Sequence, residues 1–523
     1  MVMADHRGRA IWLARRPLAL AAAGGVALVA VAGDVHANAT ATGLEVLLDA
    51  QGEGNSSSSA LPSPSALPST AVAEGGRSAL DASFDYHKPA FPLDWRQDGL
   101  TILFSSLGLI IAASGGIGGG GILVPLFMLL LKFRPKHAIA LSNFTILGGA
   151  IANTVVNARK RHPQLDRTLI DWDLILIMEP LTIFGAVFGS LLSKVLPNAV
   201  LTTLLVVILA FMGHRTLKKG LKMWHEESGC SARVVTAGIE MKNPEDDTNL
   251  GDGHAPLAAD AEADSGMAHH YLELQAESED EGAKAPSPHA QRAVGFKISA
   301  LTCCFVGTCA LTVLKGGGHF RSPFGFECGS RGFWMLYFGA LPWVLVFAIY
   351  FRSMLVSEFE QKVRTGHVFA AGEVQWDSQN TVRYPAICAI SGLLAGLFGV
   401  GGGIVKGPLM LEMGIMPAVA SASAAAMILF TSAAASISFI AFGLLHAVYG
   451  AMFFLLGIVC TSLGQYSVGQ WVKRHERQSP IVLSIGTVIL LSSFLVALDM
   501  VAEVSGPRAG EMMRIHGVCT AEA

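Results

Sequence analysis

The sequence predicts an all-α polytopic membrane protein: two four-block repeats, each beginning with a glycine-broken helix, joined by two extra transmembrane helices. Three observations carry this reading. Hydrophobic residues make up 52% of the 523 positions and charged residues only 15%, where a soluble chain carries about a quarter. The apolar residues gather into long runs, and mean hydropathy over the whole chain is +0.49; in hydrocarbon such runs must be helices, because each backbone amide has to be satisfied within its own segment. Two of the runs are also copies of one another, each interrupted by glycines at the same place.

The chain opens with Arg7, Arg9, Arg15 and Arg16, an apolar stretch from Leu18 to Ala32, and the small-residue site Ala37-Asn38-Ala39. That order is a secretory signal peptide over residues 1–39, with an uncleaved signal anchor as the alternative. Residues 40–98, rich in Ser, Pro, Ala and Gly, form an extracytosolic low-complexity segment with too little apolar content for a core.

Ten hydrophobic blocks follow, at 99–131, 138–158, 171–193, 197–213, 293–314, 332–351, 383–413, 418–442, 446–470 and 480–500. The first and seventh run to about thirty residues, too long for one span of a ~30 Å core and too short for two. Glycines interrupt them at Gly115-Gly116-Ile117-Gly118-Gly119-Gly120-Gly121 and at Gly399-Val400-Gly401-Gly402-Gly403, so both read as broken or re-entrant helices. Aligning Gly116 with Gly399, with one gap before Pro135, matches Gly118/Gly401, Gly119/Gly402, Gly120/Gly403, Pro125/Pro408, Pro135/Pro417, Ala138/Ala420 and Ala140/Ala422. The chain therefore divides into a first repeat (99–227), an insert carrying two linking helices (293–382), a second repeat (383–500) and a tail (501–523). Duplication with a broken segment at the same place in each half is the sequence pointer to a transporter binding site.

Charge sets the topology. If each broken block enters and leaves on one side, Arg159-Lys160-Arg161, Arg215 with Lys218, Lys219 and Lys222, the 352–382 loop, and Lys473-Arg474-Arg477 all fall in the cytosol. The two repeats are then inverted, at the cost of leaving Lys132, Arg134 and Lys136 outside. Between the repeats, residues 228–292 read as an acidic disordered cytosolic loop, with thirteen Asp or Glu and one Lys between Glu240 and Glu281. Within it, Ser278-Glu279-Asp280-Glu281 suits an acidophilic kinase, and a plain solvated spacer is the alternative. Reached through the secretory pathway, the protein belongs in the plasma membrane or an endomembrane.

The breaks carry the chemistry. A helix that restarts after Gly118, Gly119, Gly120 and Gly121, or after Gly401, Gly402 and Gly403, presents unpaired N–H groups and the positive end of its dipole. Glycine lets an oxyanion approach that backbone closely, so two facing breaks would cradle one small anion. Ser142, Asn143, Ser421 and Ser423 on the following helices are candidate added donors. The alternative is that the glycines only allow tight helix packing. Intramembrane charge is the next signal. Lys406 is a candidate partner for the anion or for Glu412, with snorkelling as the alternative. Glu179, before Pro180, is a candidate carrier of a coupling proton, with a structural hydrogen bond as the alternative. His446 reads as capping a membrane boundary.

Net charge −3 gives no basic field for nucleic acid. The eight cysteines show no CxxC spacing, and four or five lie in apolar runs as small core residues. No cofactor is implied. Paired intramembrane Asp, GxSxG and HExxH motifs are absent from the spans, which argues against an enzyme.

These residues together resemble the sulfite exporter TauE/SafE family, also called the 4-toluene sulfonate uptake permease family. The resemblance is carried by Gly116-Ile117-Gly118-Gly119-Gly120-Gly121 with Pro125, Ala140-Leu141-Ser142, His162-Pro163 with Leu169-Ile170-Asp171-Trp172-Asp173-Leu174, and Gly399-Val400-Gly401-Gly402-Gly403 with Gly407-Pro408. Leu411-Glu412-Met413-Gly414-Ile415 and Val419-Ala420-Ser421-Ala422-Ser423 add to it. It covers about Gly99 to Leu498 and is nearest the longer plant and protist members. It implies a secondary transporter of small sulfur-containing anions such as sulfite or sulfonates. Lys406 and Glu179 depart from the family's pattern. An anion channel, or a carrier of a different small organic anion, remains open on the sequence.

Overall fold

The computed structural model describes residues 97–115, 118–162, 167–240, 288–317, 322–366, 374–475, 479–505 and 517–519. The expected signal segment, most of the 40–98 segment, the core of the acidic loop with Ser278, and most of the tail lie outside the described residues. Twelve helices are present among them: α1 (Gln97–Gly115), α2 (Gly120–Leu129), α3 (Pro135–Asn157), α4 (Trp172–Val195), α5 (Asn198–Glu240), α6 (Pro288–Lys315), α7 (Arg331–Arg364), α8 (Asn380–Phe398), α9 (Gly403–Glu412), α10 (Pro417–Ala441), α11 (Ala447–His475) and α12 (Ser479–Val504). Nine are long and apolar enough to cross a membrane, α1 and α2 being shorter apolar helices and α9 a ten-residue one.

Each broken block becomes a 19-residue helix followed by a 10-residue one, α1–α2 and α8–α9. Both are hairpins. A Cβ on Gly108 of α1 would touch Ile122 of α2 at 3.0 Å, and one on Gly402 would meet Ala395 and Ser391 of α8 at 3.4 Å. Gly119 and Gly402 cap the short helices with φ of 72° and 70°, a left-handed turn that costs a side-chain-bearing residue about 1–2 kcal/mol.

Helices α3, α4 and α10 form the centre, and the others surround them with apolar faces turned outward. On α5, Val200, Leu204, Val207 and Phe211 are exposed at helical spacing, the stripe expected of a lipid-facing helix. Packing follows the duplication. α4 packs on α8 as α11 packs on α1, α10 on α4 as α3 on α11, and α3–α10 and α5–α12 each pair across the two halves.

One sequence expectation is corrected. Residues 228–240 are not loop: α5 continues to Glu240, with no proline from Asn198 until Pro244 to stop it. Lys136, one of the basic residues the inverted topology leaves outside, is part of a helix. It lies buried in the first turn of α3, where its Nζ donates to the carbonyl of Lys194 at 2.8 Å, at the C-terminal end of α4. Lys132 pairs with Asp499 at 3.8 Å, so basic residues on this face are matched locally. One covalent link has no motif to announce it. Cys328, in the segment before α7, is disulfide-bonded to Cys519 in the tail.

Candidate functional site

The two glycine breaks meet. A Cβ placed on Gly120 would stand 2.2 Å from the carbonyl oxygen of Gly399 and 2.6 Å from Cα of Val400, so the contact exists only because Gly120 has no side chain. Ile146 of α3 and Ile428 of α10 flank the junction: a Cβ on Gly118 would meet both at 3.4–3.5 Å, and one on Gly401 would meet them at 3.2–3.7 Å. These two isoleucines occupy the same repeat position, 282 residues apart by the alignment above. Among the described residues no side chain caps α2 or α9, which leaves their first-turn amides uncommitted to side-chain acceptors there.

The remaining candidates sort by their partners. A Cβ on Gly121 would meet Leu209 and Ile489 at 3.5–3.6 Å, an apolar setting turned away from the junction. Ser142 donates to the Gly399 carbonyl at 2.9 Å, and its second-half analogue in role, Ser391, donates to the Gly402 carbonyl at 2.8 Å. Asn143 Nδ2 donates to the carbonyls of Ile139 and Ala395 at 3.2 and 3.4 Å, while its Oδ1 is buried without a partner among the described residues. Ser142 and Asn143 therefore brace the breaks, and their donors are committed to backbone carbonyls. Ser423, in the N-terminal part of α10, accepts from the amide of Asp171 at 3.0 Å. Ser421 is half-buried one turn from the start of that helix.

Lys406 and Glu179 come together. Lys406 Nζ lies 3.0 Å from Glu179 Oε2, and both side chains are fully buried. Thr431 completes the cluster, donating to Glu179 Oε1 at 2.6 Å and accepting from Lys406 at 3.0 Å. Lys406 is held one turn into α9, its amide bonded to the Gly402 carbonyl, so the pair sits a single turn from the second break. Pairing with Glu412 does not occur. Six residues on, Glu412 is rotated about 240° around α9 and is exposed. The cluster has no counterpart in the first repeat, where the aligned positions of Lys406 and Thr431 are Leu123 and Gly149.

The α3–α4 connection holds a second polar group. Asp171 caps α4, accepting from the amides of Asp173 and Leu174, and pairs with Arg167 at 3.3 Å. Burial pushes its carboxyl up, countered by Arg167. His162 is pushed down to about 4 by burial and by Arg167. Lys297 of α6 bridges Asp173 and Glu358, tying the linking helices to this corner. His446 precedes α11 and packs its ring on Tyr449. Among the described residues no group of His, Cys, Asp or Glu is placed to hold a metal ion.

Comparison with known proteins follows the same outline. The family model for the sulfite exporter TauE/SafE matches twice, at residues 100–324 and 283–495. Sulfite exporter TauE/SafE family protein 2 of Arabidopsis thaliana is 27% identical over 434 residues, covering 81% of this chain and 88% of that protein. Family protein 1 of the same plant is 28% identical over 391 residues, covering 74% and 80%. A probable membrane transporter protein of Bacillus subtilis, YunE, is 27% identical over 106 residues, 20% of this chain and 36% of that one. No solved structure matches. With matches spanning both broken hairpins and the helices around them, this multi-pass membrane protein belongs to the sulfite exporter TauE/SafE family of membrane transporters.

Proposed function

We propose that the protein is a secondary transporter of small sulfur-containing anions, sulfite or sulfonates, working by alternating access around the paired breaks. The observation that carries this is the direct contact of Gly120 with Gly399, which brings two uncapped helix N-termini to one point between Ile146 and Ile428. Two such ends supply converging partial positive charge without a side-chain cation.

The seams on either side of that point differ, which supports alternation. Between α4 and α8 the backbones touch: a Cβ on Gly185, Gly189, Gly392 or Gly396 would stand 2.1–2.4 Å from a facing carbonyl oxygen. The equivalent α1–α11 seam has one such contact, Gly464 on Ile110, and beside it a cavity reaching Gly118. The α4–α8 seam is thus the more closely packed of the two, as expected of one end state of a rocking pair. A continuous pore would need both open at once.

Inverted repeats place the 316–330 segment and the tail outside the cytosol. The disulfide between Cys328 and Cys519 supports this, since such bonds persist in the secretory lumen and at the cell surface. Purified protein in liposomes, tested for uptake of sulfite, sulfate, an organosulfonate and chloride with and without a pH gradient, should move the sulfur oxyanions selectively and saturably. Chloride flux equal to sulfite flux and without saturation would replace the carrier with a channel.

A further inference from the structure

Helix α5 carries its lipid-facing stripe straight into a patch of positive charge. At about 100° per residue, Arg215, Lys218 and Lys222 fall within about 40° of Phe211, the last of the exposed apolar positions of that stripe. All three cations are exposed, as are Lys219 beside them and Trp224 one turn further on. The Arg215 guanidinium stands 5.8 Å from the centre of the Phe211 ring, which fastens the charged end of the stripe to its apolar end. No Asp or Glu occurs between Asn198 and His225 to offset the charge.

The opposite side of the helix is the one that packs. A Cβ on Gly213 would meet Leu490 at 2.8 Å, one on Gly220 would meet Leu483 at 3.0 Å, and one on Gly486 would stand 2.9 Å from the amide nitrogen of Leu217. This contact with α12 fixes the rotation of α5 and aims the basic stripe away from the bundle. The turn that leads into α12 carries Lys473, Arg474 and Arg477, so both repeats bring cations to this one end. Arg215 to Lys222 spans roughly 10 Å of helix axis, which matches a headgroup layer roughly 5–8 Å deep once the long stems reach outward. Trp224 is of the residue type that settles at that level.

We infer that this stripe is a docking face for anionic phospholipid headgroups, with acyl chains along Val207 and Phe211 and phosphates at Arg215, Lys218 and Lys222. A signal for topology needs positive charge but no particular helical face. Here the cations continue the line of the lipid-facing residues, so their partner lies in the same layer as the lipid tails. The acidic stretch of this chain between Glu240 and Glu281 is the competing occupant. It starts roughly 27 Å beyond Lys222 along α5 and would have to turn back to reach the stripe. The inverted topology names the leaflet as cytosolic; the contact itself depends neither on that assignment nor on the cargo. Each cation should strengthen lipid association by about fivefold.

The test places the full-length protein in nanodiscs of phosphatidylcholine alone and of phosphatidylcholine mixed with phosphatidylserine. Phosphatidylserine should raise the melting temperature, and the rise should shrink as salt is added. The rise should vanish in Arg215→Gln/Lys218→Gln/Lys222→Gln and persist in Arg215→Lys/Lys218→Arg/Lys222→Arg, which keeps the charge and changes the shape. Should the triple glutamine variant fail to insert, Lys218→Gln carries the test alone: native mass spectrometry should show it holding phosphatidylserine about fivefold more weakly than the parent. No rise in the parent, or the same rise in the glutamine variant, overturns the docking face. So does a carbodiimide cross-link between Lys218 and a carboxylate of residues 240–281 that phosphatidylserine leaves undiminished. None of these readouts involves flux, so a protein that moves no sulfur oxyanion would overturn the transport reading and leave this one standing.

Discussion

Breaking the Lys406–Glu179 pair one partner at a time should be far worse than removing both. At 3.0 Å the attraction is about 5.5 kcal/mol for an effective dielectric of about 20. Most of that offsets the cost of bringing both charges out of water, so the intact pair adds little net stability. Removing one partner exposes the cost: Lys406→Met should destabilise by about 3–5 kcal/mol, and Glu179→Gln by a similar amount, lessened by the hydrogen bond Thr431 can still give it. The double variant should return to within about 1–2 kcal/mol of the parent, giving a coupling energy above about 3 kcal/mol. Detergent-resistance unfolding of the four proteins under one condition measures it. Additive losses would refute a functional pair. The double variant also settles the proton question, because it is expected to fold without either charge. Transport by it that keeps the parent's pH dependence would remove Glu179 as the coupling carrier.

The remaining predictions concern the breaks, the α3–α4 corner and the tail. Gly120→Ala should cost the most of any break substitution, since its Cβ meets rigid backbone at 2.2 Å. Gly119→Ala, with ordinary 3.4 Å contacts but φ of 72°, should lose about 1–2 kcal/mol, and Gly121→Ala should be neutral; melting temperatures in that order check the assignment, and a severe Gly121→Ala would contradict it. His162 is held neutral by the fold, with its pKa lowered from 6.5 to about 4. Its contribution is therefore full above about 6.5 and is lost as pH falls from there to about 4. Hydrogen exchange across residues 159–171 should rise over that window, and flat protection would refute the burial of this ring. Finally, an impermeant maleimide applied to the extracytosolic face should label Cys328 and Cys519 only after reduction. Labelling from the cytosolic face would overturn the topology.

Much of the architecture was legible because bilayers leave so few options. Ten blocks became twelve helices because the two glycine runs each split one block, at the residues where the helical phase was visibly broken. The two exceptional charges were legible one at a time, since Lys406 and Glu179 each stand in an otherwise apolar run. Their partnership was not, because 227 residues separate them and nothing local links α9 to α4; the nearest acid in sequence, Glu412, lies on the wrong side of its helix. Ser142 and Asn143 lie beside the second break, but sequence cannot tell a free donor from one already given to a carbonyl. Asn153 went unremarked although it forms an i,i+4 pair with Asn157, a spacing that does announce two amides on one helical face. Cys328 and Cys519 had no motif to join them.

A machine made of two interchangeable halves would spend equal time in each of its end positions. This one is not so made: Lys406 and Thr431, which hold Glu179 of α4, stand in the second half where the first has Leu123 and Gly149. On the alternating-access reading proposed above, whatever rearrangement the triad undergoes when the α4–α8 seam parts has no counterpart when the α1–α11 seam does. The resting equilibrium is then weighted by the difference, about tenfold for each 1.4 kcal/mol. A duplicated scaffold thereby acquires a preferred direction of rest without any added domain, and a single substitution in the triad becomes a way to reset it.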